Sequence, residues 1–184
     1  MAVVKKSIKV RLYPAEKQKV LIDKTIGCAR FVYNQTLEDC KRLYKQSKHF
    51  HSQNERIKNL VLLKETHTFL KEVDSQALQQ SVRDFNAALG NFFRNRRCFG
   101  FPKFKSKHNN EHSYRTTCCG DRARVFDSKH VMLPKLDKVR TKSFSMPEGY
   151  KAFNITVIKT NTGKYYASIC IETEVQPLPK TGKQ

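Results

Sequence analysis

Acidic residues are scarce in this chain. Sixteen Asp and Glu stand against 36 Lys and Arg, for a net charge of +20 over 184 residues, and no acid falls between Asp84 and Glu111. An excess of that size is well beyond the magnitude of roughly 2–8 that keeps a small domain in solution. It strains the compact state by self-repulsion, so it points to a polyanionic partner. DNA and RNA come first, because each neutralised phosphate releases counterions, and an anionic membrane surface comes second. Also missing are any Cys-x-x-Cys pair and any apolar run near the roughly 20 residues that span a bilayer. The opening "MAVVKKSIKV" lacks the apolar core of a secretion signal. No membrane association is expected, and the six cysteines are expected as free thiols in a reducing cytoplasm. Cys118 and Cys119 are vicinal and cannot easily close an unstrained disulfide. Together with His108 and His112 they match no common zinc spacing, so they read as small hydrophobes and surface histidines. No internal repeat or low-complexity tract is evident.

What is present stands out most in "NFFRNRRCFGFPKFKSK", residues 91–107, with six Arg or Lys, five Phe and no acid. A fold alone rarely asks for cations interleaved with rings. Arginine and lysine suit phosphates, and an exposed ring can stack on a base. Phe92 and Phe93 continue the apolar face of the preceding helix and read as packing. Phe99, Phe101 and Phe104 are equally open to packing and to base stacking.

The pattern of elements is one strand, a helical block, then several strands. In "SIKVRLYP" Ile8, Val10 and Leu12 alternate with Lys9 and Arg11, a half-buried strand closed by Pro14. The following stretch to Gln46 reads as a helix or a pair of helices, with Gly27 marking a kink or a close helix crossing. In "NERIKNLVLLKE" the spacing predicts a helix with Ile57, Leu60, Val61 and Lys64 on one stripe. The clearest helix starts at an Asp74 cap, with Val73 stapled to Leu78 and an apolar face of Ala77, Leu78, Val82, Phe85, Leu89 and Phe92. Its other side carries Gln76, Gln79, Gln80 and Arg83. After Gly100 come strand-like pieces, the last two joined by the hairpin signal "TNTG". A lone first strand needs partners, so the expected class is α+β. In it an antiparallel β-barrel is interrupted by an inserted helical lobe, with boundaries at 1–14 (first strand), 15–111 (helices), 112–175 (remaining strands) and 176–184 (linker).

Three stretches, "RLYPAEKQKVLIDKTIGCARFVYNQTLE", "LKEVDSQALQQSVRDFNAALGNFFR" and "GFPKFKSKHNNEHSYRTT", carry a family resemblance. With "LPKLDKV" and "FNITVIKTNTGKYYASICIE" they resemble the N-terminal half of the TnpB proteins, the OrfB proteins of bacterial insertion sequences, related to type V CRISPR nucleases. The resemblance implies an RNA-guided DNA endonuclease built as a wedge β-barrel with an inserted recognition lobe, followed by a RuvC nuclease domain with a zinc ribbon. It implies guide RNA and double-stranded DNA as partners, in the cytoplasm and nucleoid of a bacterium or archaeon. Pairing with the guide would read the target, and the protein a short adjacent DNA motif. The glycine-flanked Asp that opens a RuvC domain and the Cys-x-x-Cys zinc ribbon are absent, and the acids are scattered. Two-metal hydrolysis needs clustered carboxylates, so no catalytic residue, metal or cofactor is expected in this chain alone.

By the same resemblance Ser75, Gln76 and Gln79 on the third helix, with Cys119 and Gly120 after "SYRTT", are the positions that read the DNA motif. Glutamine can pair bidentately with adenine. Arg94, Arg96, Arg97, Lys103, Lys105, Lys107 and Arg115 are the expected phosphate or RNA contacts, and Phe99, Phe101 and Phe104 the expected base-stacking rings. Two functions follow. One is the binding half of a transposon-encoded RNA-guided nuclease whose RuvC half lies elsewhere, which the open "PLPKTGKQ" end favours. The other is a stand-alone, nuclease-dead protein that occupies RNA or DNA as a remnant or repressor.

Overall fold

The computed structural model describes residues 2–108 and 112–175; the expected linker at 176–184 lies outside them. Strand β1 (Ala2–Tyr13) leads into helices α1 (Glu16–Ser47), α2 (Gln53–Thr66) and α3 (Ser75–Arg94), with a 3-10 turn at Thr68–Lys71. Strands β2 (His112–Thr117), β3 (Arg124–Asp127), β4 (His130–Leu133), β5 (Asp137–Thr141), β6 (Lys151–Lys159) and β7 (Tyr165–Val175) follow. The class is α+β.

All seven strands join one antiparallel sheet in the order β2-β6-β7-β1-β5-β4-β3. The first strand pairs with β7 from Ala2 to Leu12 and touches β5 at Leu12 and Tyr13. The alternation in β1 is as its sequence reads: Val10 and Leu12 are buried and Lys9 is exposed. Between β6 and β7 the "TNTG" turn closes with Gly163 at φ +74° and its N–H donating to Thr160 O. A positive φ is cheap only for glycine.

The expected closed barrel is corrected to an open, curled sheet, because β2 and β3 are unpaired edges. Strand β3 comes into contact with β6 from the far end of the sheet, so the sheet wraps most of the way round. Closure fails for two reasons. Strand β3 is four residues long and bulged against β4 at Val125–Asp127, too short and twisted to form a ladder with β2. Helices α1 and α3 pack over β2 instead, and Ile22, Ile26, Ala29 and Ala77 join the core made by Val10, Leu12 and the inner residues of the other strands. A helix laid over an edge protects it as closure would.

Two further expectations change. The segment after Pro14 is a single continuous helix of 32 residues, and a Cβ built on Gly27 would meet nothing within 4 Å, so this glycine marks no close crossing. In α2 the buried stripe is Arg56 and Leu60, flanked by Ile57 and Leu63, whereas Val61 is 61% exposed. Arg56 takes the inward place because its guanidinium donates to Asn86 Oδ1 and lies 5.1 Å over the Phe85 ring, so a buried cation is satisfied without a carboxylate. Helix α3 follows its sequence: Asp74 caps it, Val73 and Leu78 pack in one cluster, and Ala77, Val82, Phe85 and Leu89 are buried.

Candidate nucleic-acid interface

The start of α3 is tied to the sheet by one carboxylate. Asp74 accepts from the backbone N–H of Gln76 (3.0 Å) and of Ala77 (3.3 Å), and from the Thr116 hydroxyl of β2 (2.6 Å). Thr116 is fully buried beside Tyr114, whose phenol is pushed far up by burial and next by the Asp74 charge. The cap that begins the helix therefore also fixes its position against β2.

That link opens a groove of about 630 Å³ between the first turn of α3, the segment after β2 and the β4–β5 turn. Ser75, Gln76 and Cys119 line it together, so three of the positions expected to read a DNA motif share one cavity. Gln79 is half-buried a turn further along α3, and Gly120 sits at the following turn with φ +61°; neither lines the groove. The Ser75 hydroxyl accepts from Lys64 Nζ at 2.9 Å. Burial, then repulsion from Lys135, pushes the Lys64 ammonium down from its ordinary value, with Asp74 opposing. Arg122 and Lys135 also line the groove, cations that residue spacing did not single out, and Asp121 and Asp137 line it with them. Lys135 and Asp137 both hold positive φ in the β4–β5 turn, a conformation that aspartate accepts more readily than lysine. That turn is anchored by Gln18 of α1, whose amide donates to Leu136 O (2.8 Å) and Lys138 O (3.0 Å).

A second, basic channel runs where α1 crosses β2 and β6. Arg30, Lys107, His112 and Lys159 line a cavity of about 500 Å³ together with Asp23, Ile26 and Gly27. Arg30 also lines the adjoining small cleft that holds Lys105 and Arg115. Lys159 is paired with Asp23 at 2.7 Å, and Arg115 with Asp84, which also accepts from Gln80. Lys105 is held in place: its N–H donates to Asn34 Oδ1 (2.8 Å), its carbonyl accepts from Asn34 Nδ2 (2.9 Å), and its ammonium lies 4.4 Å over the Tyr33 ring. Arg30 escaped the sequence reading. The one signal that could have found it is its place one turn after Gly27, where a bare helix surface meets a cation.

The basic-aromatic stretch leaves α3 through Asn95, whose side-chain oxygen accepts from the N–H of Arg97 and of Cys98. Arg94, Arg96, Arg97, Lys103 and Lys107 are exposed, and among the described residues none forms an ion pair. Arg96 lies over the rings of Phe92 and Phe93. The three expected stacking rings differ in setting. Phe99 and Phe104 are each 47% exposed, whereas Phe101 packs edge-on to Phe92 at 5.3 Å beside the α1–α3 core. Lys41 reaches over Phe104 at 4.4 Å.

Among the described residues no group of three or more His, Cys, Asp or Glu is arranged to hold a metal ion. The Cys118 thiol is pushed up to about 11, mainly by burial, so it is neither a thiolate nor a ready ligand near neutral pH. No helix among the described residues is long and apolar enough to cross a membrane.

Comparisons with known proteins identify relatives of this chain. Residues 1–49 match the helix-turn-helix domain of the OrfB IS605 type. In the structure that span holds β1 and the single helix α1, with no second helix inside it. A protein of Streptomyces pristinaespiralis named "Putative RNA-guided DNA endonuclease" is 30% identical over 185 residues, covering 98% of this chain and 45% of that protein. InsQ of Escherichia coli strain K12, which carries the same descriptive name, is 31% identical over 172 residues, covering 92% of this chain and 41% of its own length. The virulence protein VsdF of Salmonella dublin is 31% identical over 112 residues, 56% of this chain and 94% of that protein. The chain thus spans less than half the length of the first two relatives.

Proposed function

Because the chain belongs to the OrfB/TnpB family of insertion-sequence proteins, we propose that it is the nucleic-acid-binding part of a transposon-encoded RNA-guided DNA endonuclease. In this reading the groove at the start of α3 reads a short duplex motif beside the target, and the basic channel with the 94–107 stretch carries guide RNA or a guide–target heteroduplex. The residues assigned to motif reading are Ser75, Gln76, Gln79, Cys119 and Gly120, with Gln76 the best placed to present an amide to a base edge. Arg94, Arg96, Arg97, Lys103, Lys105, Lys107 and Arg115 are assigned to phosphates, joined by Arg30. Phe99 and Phe104, as exposed rings, are the better stacking candidates. No strand-cleaving step and no resident cofactor is assigned to this chain, and its place is the cytoplasm and nucleoid.

The observation that carries the reading is the groove itself. A helix start and a strand end, 42 residues apart in sequence, are locked by the Asp74–Thr116 hydrogen bond so that Gln76 and Cys119 line one cavity of mixed charge, with Arg122 and Lys135 beside Asp121 and Asp137. Phosphate contacts position a protein and base contacts specify, so the two surfaces are separable by experiment. The purified chain should retain RNA that can be sequenced. Loaded with that RNA, it should enrich a short motif from a randomised DNA duplex, and Gln76→Ala should relax one position of that motif while total affinity changes little. A chain that retains no RNA and enriches no motif would overturn the proposal.

A further inference from the structure

Where the C-terminal ends of α1 and α3 meet, four rings build an open box. Tyr44 and Phe50 stack with centroids 4.9 Å apart and planes 15° from parallel. Phe93 stands edge-on to Phe50 at 5.4 Å, and Phe92 lies beside Phe93 at 5.3 Å. The open cavity they line, together with Phe101, is about 350 Å³. That is at the small end of the roughly 300–1,000 Å³ typical of ligand pockets. Packing alone would cover such rings, yet Tyr44 and Phe93 are each 45% exposed.

Lys41, Lys45 and Arg96 stand among the lining residues, and no carboxylate does. Arg96 sits 5.6 Å over Phe93, and Lys48 5.1 Å over Tyr44, so in the free chain these cations cover ring faces and would swing onto phosphate as a base takes their place. Rings flanked by unpaired cations are the combination that single-stranded nucleic-acid sites use: the flat faces take a base, and the cations take the phosphates on either side. A second copy of this chain is a poor occupant, because each copy carries +20 and would bring cations against cations. A duplex is equally poor, since its bases present no free face. A single strand presents the matching shape, and RNA, whose loops and bulges splay single bases out of the stack, is the single strand that the RNA-binding reading supplies.

We infer that the box formed by Tyr44, Phe50, Phe92 and Phe93 binds one unpaired base of single-stranded RNA, with Lys41, Lys45 and Arg96 on its flanking phosphates. The inference rests on the RNA-binding reading above and adds to it a specific base pocket, distinct from the exposed Phe99 and Phe104.

The test uses the full chain and two probes: a single-stranded RNA carrying one 2-aminopurine, and a blunt RNA duplex of equal length. On binding the single strand, the 2-aminopurine fluorescence should be quenched. Phe93→Leu and Tyr44→Leu keep an apolar side chain but remove the stacking face. Each should abolish the quench and weaken single-strand binding about tenfold, with duplex binding within about twofold of the parent. Phe93→Tyr should restore both signals, which a loss of fold would not allow. RNA binding that is intact in every variant, with no quench in the parent, would overturn the pocket and leave the RNA-binding reading standing. No RNA binding by the parent would overturn both. An equal quench with single-stranded DNA of the same sequence would overturn the assignment to RNA.

Discussion

Asp74 uses two oxygens for three donors, two on its own helix and one on a neighbouring strand. Its removal should therefore cost more than an ordinary cap. Loss of a side-chain cap is typically about 1 kcal/mol, and stranding the buried Thr116 hydroxyl adds about 1–3 kcal/mol. Asp74→Ala should thus lower stability by roughly 2–4 kcal/mol. Thr116→Val removes the donor while keeping the shape, and should cost about 1 kcal/mol. In the double variant the stranded hydroxyl no longer exists, so the combined loss should fall short of the sum by about 1 kcal/mol or more. Urea unfolding of the four proteins measures this. Losses that add to within about 0.5 kcal/mol would mean that the helix start and the strand end are not energetically joined.

Glycines set the corresponding test for the helices. Gly27 in α1 and Gly90 in α3 both lie in helix interiors, and a Cβ at either would meet nothing within 4 Å. Each Gly→Ala change should therefore stabilise by about 0.5–1 kcal/mol. Of the two, Gly27 lines the basic channel. Gly27→Leu should project into that channel and weaken RNA binding about tenfold, whereas Gly90→Leu should leave it near the parent value, because of the two only Gly27 lines the channel. Filter binding on the two variants distinguishes a channel from an incidental gap; equal affinities would remove Gly27 from the interface. The same glycine shows how far the elements were legible in sequence. Strand β1 and helix α3 could be read because alternation and an apolar stripe are local signals that their burial then obeys. Gly27 could not, because whether a bare helix surface faces another helix, solvent or a groove depends on what packs beside it. Nor could the α2 stripe, since an inward arginine satisfied by Asn86 and Phe85 carries no sequence mark. Sheet closure was equally beyond reach: it turns on whether β2 or the helices win the last edge, a contest between segments far apart in the chain. In the candidate groove, the nearness of Ser75, Gln76 and Cys119 was legible through family resemblance, though Gln79 and Gly120, named with them, do not line it. Arg30, Arg122 and Lys135 were not, because they stand in separate segments that only the fold brings to a groove.

For the whole molecule the deciding quantity is charge. Much of the +20 stands on exposed side chains, and the cations of residues 94–107 meet no carboxylate among the described residues. If six or so phosphates are contacted, raising salt from about 50 to 200 mM should weaken RNA binding by roughly 10³-fold or more. Replacing Arg94, Arg96 and Arg97 together with Gln removes three candidate contacts. The slope of log affinity against log salt should then become shallower by about 2–3, at roughly 0.7–0.9 per phosphate. Stability should change little. Arg96 gives up its contact with the Phe92 and Phe93 rings, worth about 0.5–1 kcal/mol at an exposed site, while relief of like-charge repulsion acts in the other direction. Gln76→Ala should behave differently, leaving the salt slope intact, since an amide on a base edge releases no counterion. Titrations at four salt concentrations, with melting curves on the same samples, separate the two behaviours. A triple variant that melts lower but keeps the parent slope would show that these arginines hold the fold together and that the RNA runs elsewhere.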